Sequence, residues 1–213
     1  ELQRIAGACR KLNLVVISDE IYCDLTYNFD HTPLASLRGM KERTIYLNGF
    51  SKAYAMTGWR IGYAAGPRAR GRAMPDVQSQ GTSNPSSVAQ WAAVEALAGP
   101  QDEVPRMAAE FDRRRKLIVD GLNALPGVKC VMPKGAFYAF PNISGLLGRR
   151  TPEGKTLETS TDVATYLLEE AKVALVPGLD FGSDSHVRLS YATSAELIRE
   201  GLERMAAALA KLG

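Results

Sequence analysis

Three short apolar runs constrain the fold of this chain more than any other feature of its sequence. They occupy residues 14–17, 44–48 and 61–65. Each run is continuous rather than alternating, a pattern typical of strands that are buried on both faces of a parallel sheet. Because helical patterns flank the runs, the sequence predicts an α/β fold.

The second half of the chain has a different pattern. A long amphipathic helix is predicted over residues 103–125 and ends at Pro126-Gly127. Shorter strands and helices then alternate, as in a smaller α/β domain. We therefore expect one domain over residues 1–101 and a second over residues 102–213, with the long helix joining them. Within the second domain, strands are predicted at 128–131, 136–140, 173–176 and 187–191, and helices at 162–172 and 194–212.

Composition and charge exclude several classes of protein. The apolar fraction of 46% and the net charge of +3 are ordinary for a soluble globular protein. The densest basic cluster, at 113–116, follows Glu110 and Asp112 in a helical pattern, which indicates a solvated helix face rather than a nucleic-acid surface. Three widely spaced cysteines predict neither a disulfide framework nor a metal site. No signal peptide or membrane-spanning run is visible, so we expect a cytoplasmic protein without membrane contacts.

The first residues of the chain have helical periodicity without an N-cap. This pattern predicts that the sequence is a fragment whose beginning lies inside a helix.

Lys52 follows the second apolar run, at a position where a lysine needs an explanation. A buried lysine is costly unless it is paired, has a shifted pKa or is used covalently. Lysine amines form Schiff bases with carbonyl cofactors when burial or nearby cations lower their pKa. Ser51 offers a hydroxyl donor, and Arg60 offers a planar guanidinium that suits a phosphate. The stretch therefore points to a phosphorylated carbonyl cofactor.

Asp19 follows the first apolar run, so Asp19 and Lys52 both come after strands. Open α/β sheets bind ligands at the carboxyl ends of their strands. A carboxylate against a pyridine nitrogen keeps that ring protonated, which makes it an electron sink. Tyr22 could donate to a ring oxygen. Taken singly, Asp19 could cap a turn, Tyr22 could pack as an aromatic and Arg60 could form an ion pair; together they favour a cofactor site.

Several motifs carry a resemblance to a known family. The chain has SDEIY at 18–22, SKAY at 51–54 and MTGWR at 56–60. With these it resembles the fold-type I, class I/II pyridoxal-phosphate (PLP) aminotransferases, and most of all the bacterial aspartate aminotransferase branch. Supporting motifs are TSNP at 82–85, PKGAFY at 133–138, PG at 177–178 with FG at 181–182, and RLSYA at 188–192.

The resemblance implies a role for each residue of the first half. Lys52 would form the Schiff base with PLP and move the proton at the substrate α-carbon. Asp19 would bind the pyridine nitrogen, and Tyr22 the phenolate oxygen. Ser51 and Arg60 would hold the phosphate.

In the second half, the resemblance implies that Arg188 clamps the substrate α-carboxylate. Tyr54 is as well explained by packing as by cofactor contact, and Phe137 is expected near the substrate pocket. His31 and His186 are interpreted as surface or loop histidines, because Lys52 already supplies the catalytic base.

The resemblance also implies the architecture and the partners. Residues 1–101 would be the C-terminal part of a large PLP-binding domain with a mixed, mostly parallel sheet, and residues 102–213 the small domain. The parent enzyme would be a homodimer that moves an amino group between an L-amino acid, aspartate-like or aromatic, and a 2-oxo acid.

Three further expectations stand beside that of an active aminotransferase. Because part of the family's cofactor cradle precedes these residues, the fragment alone is expected to be poorly active. A different PLP reaction, catalysed by a lyase or a decarboxylase, could use the same lysine. A truncated homologue without catalysis is the third.

Overall fold

The computed structural model describes residues 1–213, which form two compact units, Glu1–Ala108 and Ala109–Gly213. This division falls close to the domain boundary expected between residues 101 and 102. The assignment of the two parts to a large and a small domain stays a prediction. None of the helices is long and apolar enough to cross a membrane.

The first unit is built on a three-stranded sheet in the order β1–β2–β3. β1 and β2 are parallel, with Asp19 opposite Leu47, whereas β3 runs antiparallel to β2. The elements are α1 (Leu2–Lys11), β1 (Val16–Asp19), β2 (Thr44–Gly49), β3 (Gly62–Ala65), α2 (Arg68–Gly81) and α3 (Ser87–Ala98).

The sheet is mixed, as expected, but β3 is antiparallel although its apolar run has the pattern of a parallel strand. Residues 50–61 form turns and one short 3-10 helix, Thr57–Trp59, that reverse the chain against β2. A parallel neighbour would need a crossover connection, usually an α-helix, and residues 50–61 contain no α-helix. α2 contains Pro75 and continues beyond it to Gly81. Proline removes only its own N–H donor, and the following residues keep theirs.

The expectation that the strands are buried on both faces was wrong for this chain. α1 packs Ala6 and Cys9 into a cluster that covers Val16. Ile17 points to the opposite face and is 68% exposed, and every residue of β3 is exposed. The continuous apolar pattern therefore belongs to strands that the elements of this chain leave partly open: one face of β1 and both faces of β3.

The second unit has a small antiparallel sheet in the order β4–β6–β5. Its core contains fully buried side chains such as Leu122, Leu167 and Tyr191. The elements are α4 (Glu103–Asn123), which begins just before this unit, β4 (Tyr138–Ala139), α5 (Ser160–Ala171), β5 (Val176–Pro177), β6 (Val187–Ser190) and α6 (Ala195–Leu209).

The strand predicted at 128–131 is not formed. Lys129 exchanges two backbone hydrogen bonds with Asn142 as an isolated bridge. The side chain of Asn123 hydrogen-bonds both backbone groups of Cys130: its Oδ1 accepts from the Cys130 N–H at 2.7 Å, and its Nδ2 donates to the Cys130 carbonyl at 3.0 Å. A side chain that satisfies the backbone in this way replaces the strand partner. α5 begins at Ser160, two residues before the predicted start at 162, because the side chain of Thr159 caps it.

Candidate active site

The carboxyl ends of β1 and β2 bring Asp19 and Lys52 to one edge of the sheet. Asp19 is the last residue of β1, and Lys52 follows the end of β2 at Gly49 by three residues. Because the two strands are parallel and adjacent, their ends meet there. The Asp19 carboxylate accepts a hydrogen bond from the backbone N–H of Ile21 at 3.2 Å and stays exposed.

Lys52 lies beside Tyr22. Its Nζ is 5.9 Å from the centroid of the Tyr22 ring, within the range of a cation–π contact. The turn that carries Lys52 is fixed by backbone hydrogen bonds, from Ala55 N to Lys52 O and from Met56 N to Phe50 O, each 3.2 Å long. The structure thus brings together two of the predicted site residues from different strand ends.

Arg60 and Ser51 lie on the same connection between β2 and β3. The Arg60 guanidinium is exposed, and its Nη1 donates to the carbonyl of Thr57 at 2.9 Å. Ser51 is half-buried in the turn before Lys52. The structure shows no hydrogen bond between Arg60 and Ser51.

The same connection contains backbone strain that sequence reasoning missed. Ala55 and Arg60 both adopt φ of +52°, the left-handed region that non-glycine residues avoid at a cost of about 1–2 kcal/mol. Strain of this kind is typical of functional segments. Gly62 allows the close approach of β3, since a Cβ there would lie 2.9 Å from the Asn48 carbonyl oxygen.

A buried carboxylate next to Asp19 is a second feature that the sequence did not reveal. Glu20 is only 5% exposed. It accepts hydrogen bonds from the Ser18 hydroxyl at 2.9 Å and the Leu34 N–H at 3.2 Å, and it lies 2.5 Å from His31 Nε2. His31 was expected to be a surface or loop histidine, and its ring anchors that loop to Glu20. The partners are up to 14 residues away, and no spacing signals them.

A polar cluster lies beneath the edge, around Asn48. Its amide donates to Cys23 Sγ at 3.2 Å and to the Tyr46 hydroxyl at 2.7 Å. Burial raises the pKa of the Cys23 thiol and raises the pKa of Tyr46 to about 12. Both groups are therefore neutral at physiological pH, which argues against Cys23 as a nucleophile.

An open concavity of about 420 Å³ adjoins Asp19. Its lining includes Ile21, Asn48, Tyr63 and Gln78. The donor set of the edge fits PLP: one carboxylate for a pyridine nitrogen, one amine for a carbonyl carbon, and hydroxyl, phenol and guanidinium groups for oxygen atoms.

In the second unit, Arg188 lies among aromatic rings. Its Cζ is 4.6 Å from the centroid of the Tyr138 ring and 4.5 Å from that of Phe181. None of the ion pairs in the chain includes Arg188. A guanidinium without a carboxylate partner is suited to bind an anion from outside.

The other residues considered from the sequence have structural contacts. The Tyr54 hydroxyl donates to Gln101 at 3.1 Å. Phe137 packs against Phe111, with ring centroids 5.2 Å apart. His186 Nδ1 lies 2.8 Å from the Ser183 hydroxyl. None of these contacts requires a ligand.

Comparison with known proteins places this fold among the aminotransferases. The family model described as "Aminotransferase class I and II" matches residues 1–205. The chain belongs to this family, which depends on PLP.

Individual relatives agree with this assignment. The aspartate aminotransferase of Rhizobium meliloti strain 1021 is 51% identical over 92% of this chain and 48% of its own length. A crystal structure of the aspartate aminotransferase from Rhizobium meliloti matches with a TM-score of 0.93 at 49% identity, over 98% of this chain and 53% of the other. An aromatic aminotransferase from Pyrococcus horikoshii matches with a TM-score of 0.88 at 42% identity, over 98% and 54% of the two chains. The chain spans about half the length of the curated relatives it matches.

Proposed function

We propose that the protein containing this chain is a PLP-dependent aminotransferase. It would move an amino group between an L-amino acid, aspartate-like or aromatic, and a 2-oxo acid. The observation that carries the proposal is the Lys52 amine beside the Tyr22 ring, at the edge where β1 ends in Asp19. Because the chain spans about half the length of its relatives, the activity is proposed for the whole protein.

The residues of the edge would hold the cofactor. When bound, PLP supplies a carbonyl carbon that condenses with amines and a ring that delocalises negative charge from the substrate α-carbon. The Asp19 carboxylate would accept the pyridine N–H, and the Tyr22 hydroxyl would donate to the ring oxygen. Ser51 and Arg60 would donate to the phosphate oxygens.

Two residues would act on the substrate. The Lys52 amine, once unprotonated, would remove the proton from the α-carbon, as a positioned base does in general base catalysis. Arg188 would bind the α-carboxylate through two parallel N–H donors, a geometry that lysine cannot reproduce.

The finer assignments belong to the same proposal. The two units would be the C-terminal part of a large PLP-binding domain and a small domain. The names of the relatives, aspartate aminotransferase and aromatic aminotransferase, support both substrate classes. A homodimer that acts in amino-acid biosynthesis is expected from the family. The three free cysteines fit the reducing cytoplasm.

A donor half-reaction tests the proposal. The whole protein, loaded with PLP, is mixed with L-aspartate or L-phenylalanine alone, and the absorption spectrum is followed. We expect the pyridoxamine form to appear and a 2-oxo acid to restore the starting spectrum. Lys52→Ala should slow the reaction at least about 100-fold, whereas Lys41→Ala, at an exposed lysine of the same unit, should not. Release of carbon dioxide or ammonia instead would indicate a decarboxylase or a lyase and contradict the proposal.

A further inference from the structure

Three segments of the second unit converge on the guanidinium of Arg188. Arg188 lies on β6, opposite Val176 of β5. Tyr138 comes from β4, on the other side of β6, and Phe181 ends the short 3-10 helix Gly178–Phe181 that follows β5. The Cζ atom lies over both rings, at 4.6 and 4.5 Å from their centroids. Both distances are well inside the cation–π limit of about 6 Å.

Phe181 is held there by more than burial. It is 47% exposed, so the hydrophobic effect accounts for only part of its position. Its ring meets Phe140 edge to face at 6.1 Å, and Phe140 in turn stacks on His186 at 4.8 Å with an interplanar angle of 13°. A row of rings therefore supports the exposed phenylalanine against Arg188.

The Cζ atom lies over the faces of both rings, so the rings occupy part of the surroundings of the guanidinium. The five N–H donors of an arginine point outward in the plane of the guanidinium, so donors that are directed away from the rings are available to a ligand. A carboxylate binds this edge with two parallel hydrogen bonds. A restrained arginine also loses less conformational freedom when it binds its ligand.

We propose that Tyr138 and Phe181 are positioning residues that present the N–H edge of Arg188 to the α-carboxylate of the amino acid. The inference rests on the proposed function, which assigns Arg188 to that carboxylate. It adds two residues that touch the arginine rather than the substrate. Their removal should weaken carboxylate binding and leave the proton transfer at Lys52 intact.

Maleate, a dicarboxylate without an amino group, serves as the probe. Its dissociation constant is measured by titration calorimetry on the whole PLP-loaded protein, and KM and kcat are measured for L-aspartate. Phe181→Leu and Tyr138→Leu should each raise the dissociation constant and the KM about tenfold, with little change in kcat. Phe181→Tyr and Tyr138→Phe, which keep the ring faces, should restore binding.

Phe29→Leu is the matched control, because Phe29 is as exposed as Phe181, at 46% against 47%, and is not one of the two rings over Arg188. Equal effects of Phe29→Leu and Phe181→Leu, or wild-type maleate binding by both Leu variants at Tyr138 and Phe181, would overturn the inference. If a Leu variant does not fold, Phe181→Met decides, since it keeps a bulky apolar side chain without ring faces. Failure of the proposed function would appear in the donor half-reaction, because the wild-type protein would then not give the pyridoxamine form with an amino acid.

Discussion

Gly178 is a position where one methyl group should be severely destabilising. It follows β5 and is tied to the start of β6, since its N–H donates to the His186 carbonyl at 2.9 Å and its carbonyl accepts from Ser183 N at 2.9 Å. A Cβ on Gly178 would lie 2.2 Å from the His186 oxygen and 2.3 Å from the Ser183 oxygen. Real Cβ contacts essentially never fall under 3.0 Å, so backbone must move.

The size of the effect follows from the nature of the obstacles. Overpacking usually costs about 1–3 kcal/mol, because side chains can shift to relieve it. Both obstacles at Gly178 are backbone carbonyls that cannot rotate away, so we expect Gly178→Ala to lower the free energy of unfolding by about 3 kcal/mol. The displaced segment pairs with Arg188, and anion binding should therefore weaken too.

Urea-dependent hydrogen exchange, read by mass spectrometry in peptides from residues 160–190, measures the change within this unit. Gly201→Ala is the control, because Gly201 lies inside α6 and a Cβ there meets only Val173 Cγ2 at 3.8 Å. Alanine in a helix interior is favoured by about 0.8–1 kcal/mol over glycine, so the same substitution should stabilise there. A loss below about 1 kcal/mol for Gly178→Ala would refute the steric reasoning.

Three further substitutions test other local features. Lys172 ends α5 with φ of +55°, so Lys172→Gly should relieve strain and raise the free energy of unfolding by about 0.5–1 kcal/mol; an unchanged or lower thermal midpoint would contradict this. Hydrogen bonding to Lys155 lowers the pKa of Asp162 to about 2, below the unfolded value of about 3.9. The interaction of Asp162 with Lys155 therefore stabilises the fold fully above the unfolded pKa, and this stabilisation is lost as the pH falls through the folded pKa. Asp162→Asn should make the free energy of unfolding depend less on pH in this range, whereas wild-type and variant curves that run parallel against pH would contradict the prediction. Glu20→Ala leaves the partners of a buried carboxylate unpaired, including His31. It should lower the free energy of unfolding by about 2 kcal/mol, measured by urea unfolding followed by tryptophan fluorescence. No measurable loss would show that the hydrogen bonds of Glu20 do not stabilise the fold.

The sequence predicted the positions of Asp19 and Lys52 well, because an apolar run followed by a polar residue marks the carboxyl end of a strand. It also predicted the α/β class and the approximate places of α4, α5 and α6. The roles of these residues stay predictions until they are tested.

Features that depend on distant partners were beyond the sequence. The direction of β3 depends on how residues 50–61 fold back, and an apolar run does not encode it. The contacts of Glu20 with Leu34, and of Arg188 with Tyr138 and Phe181, join residues that have no regular spacing. Ile17 has the pattern of a buried residue and is exposed, because burial depends on what packs against the sheet.

The most direct test of the central claim is covalent labelling of Lys52. The whole protein is incubated with PLP, reduced with borohydride, digested and mapped by mass spectrometry. We predict a pyridoxyl group on Lys52 that is lost in Lys52→Ala and kept in Lys41→Ala. Label on other lysines only, or no label, would contradict the claim that Lys52 holds the cofactor.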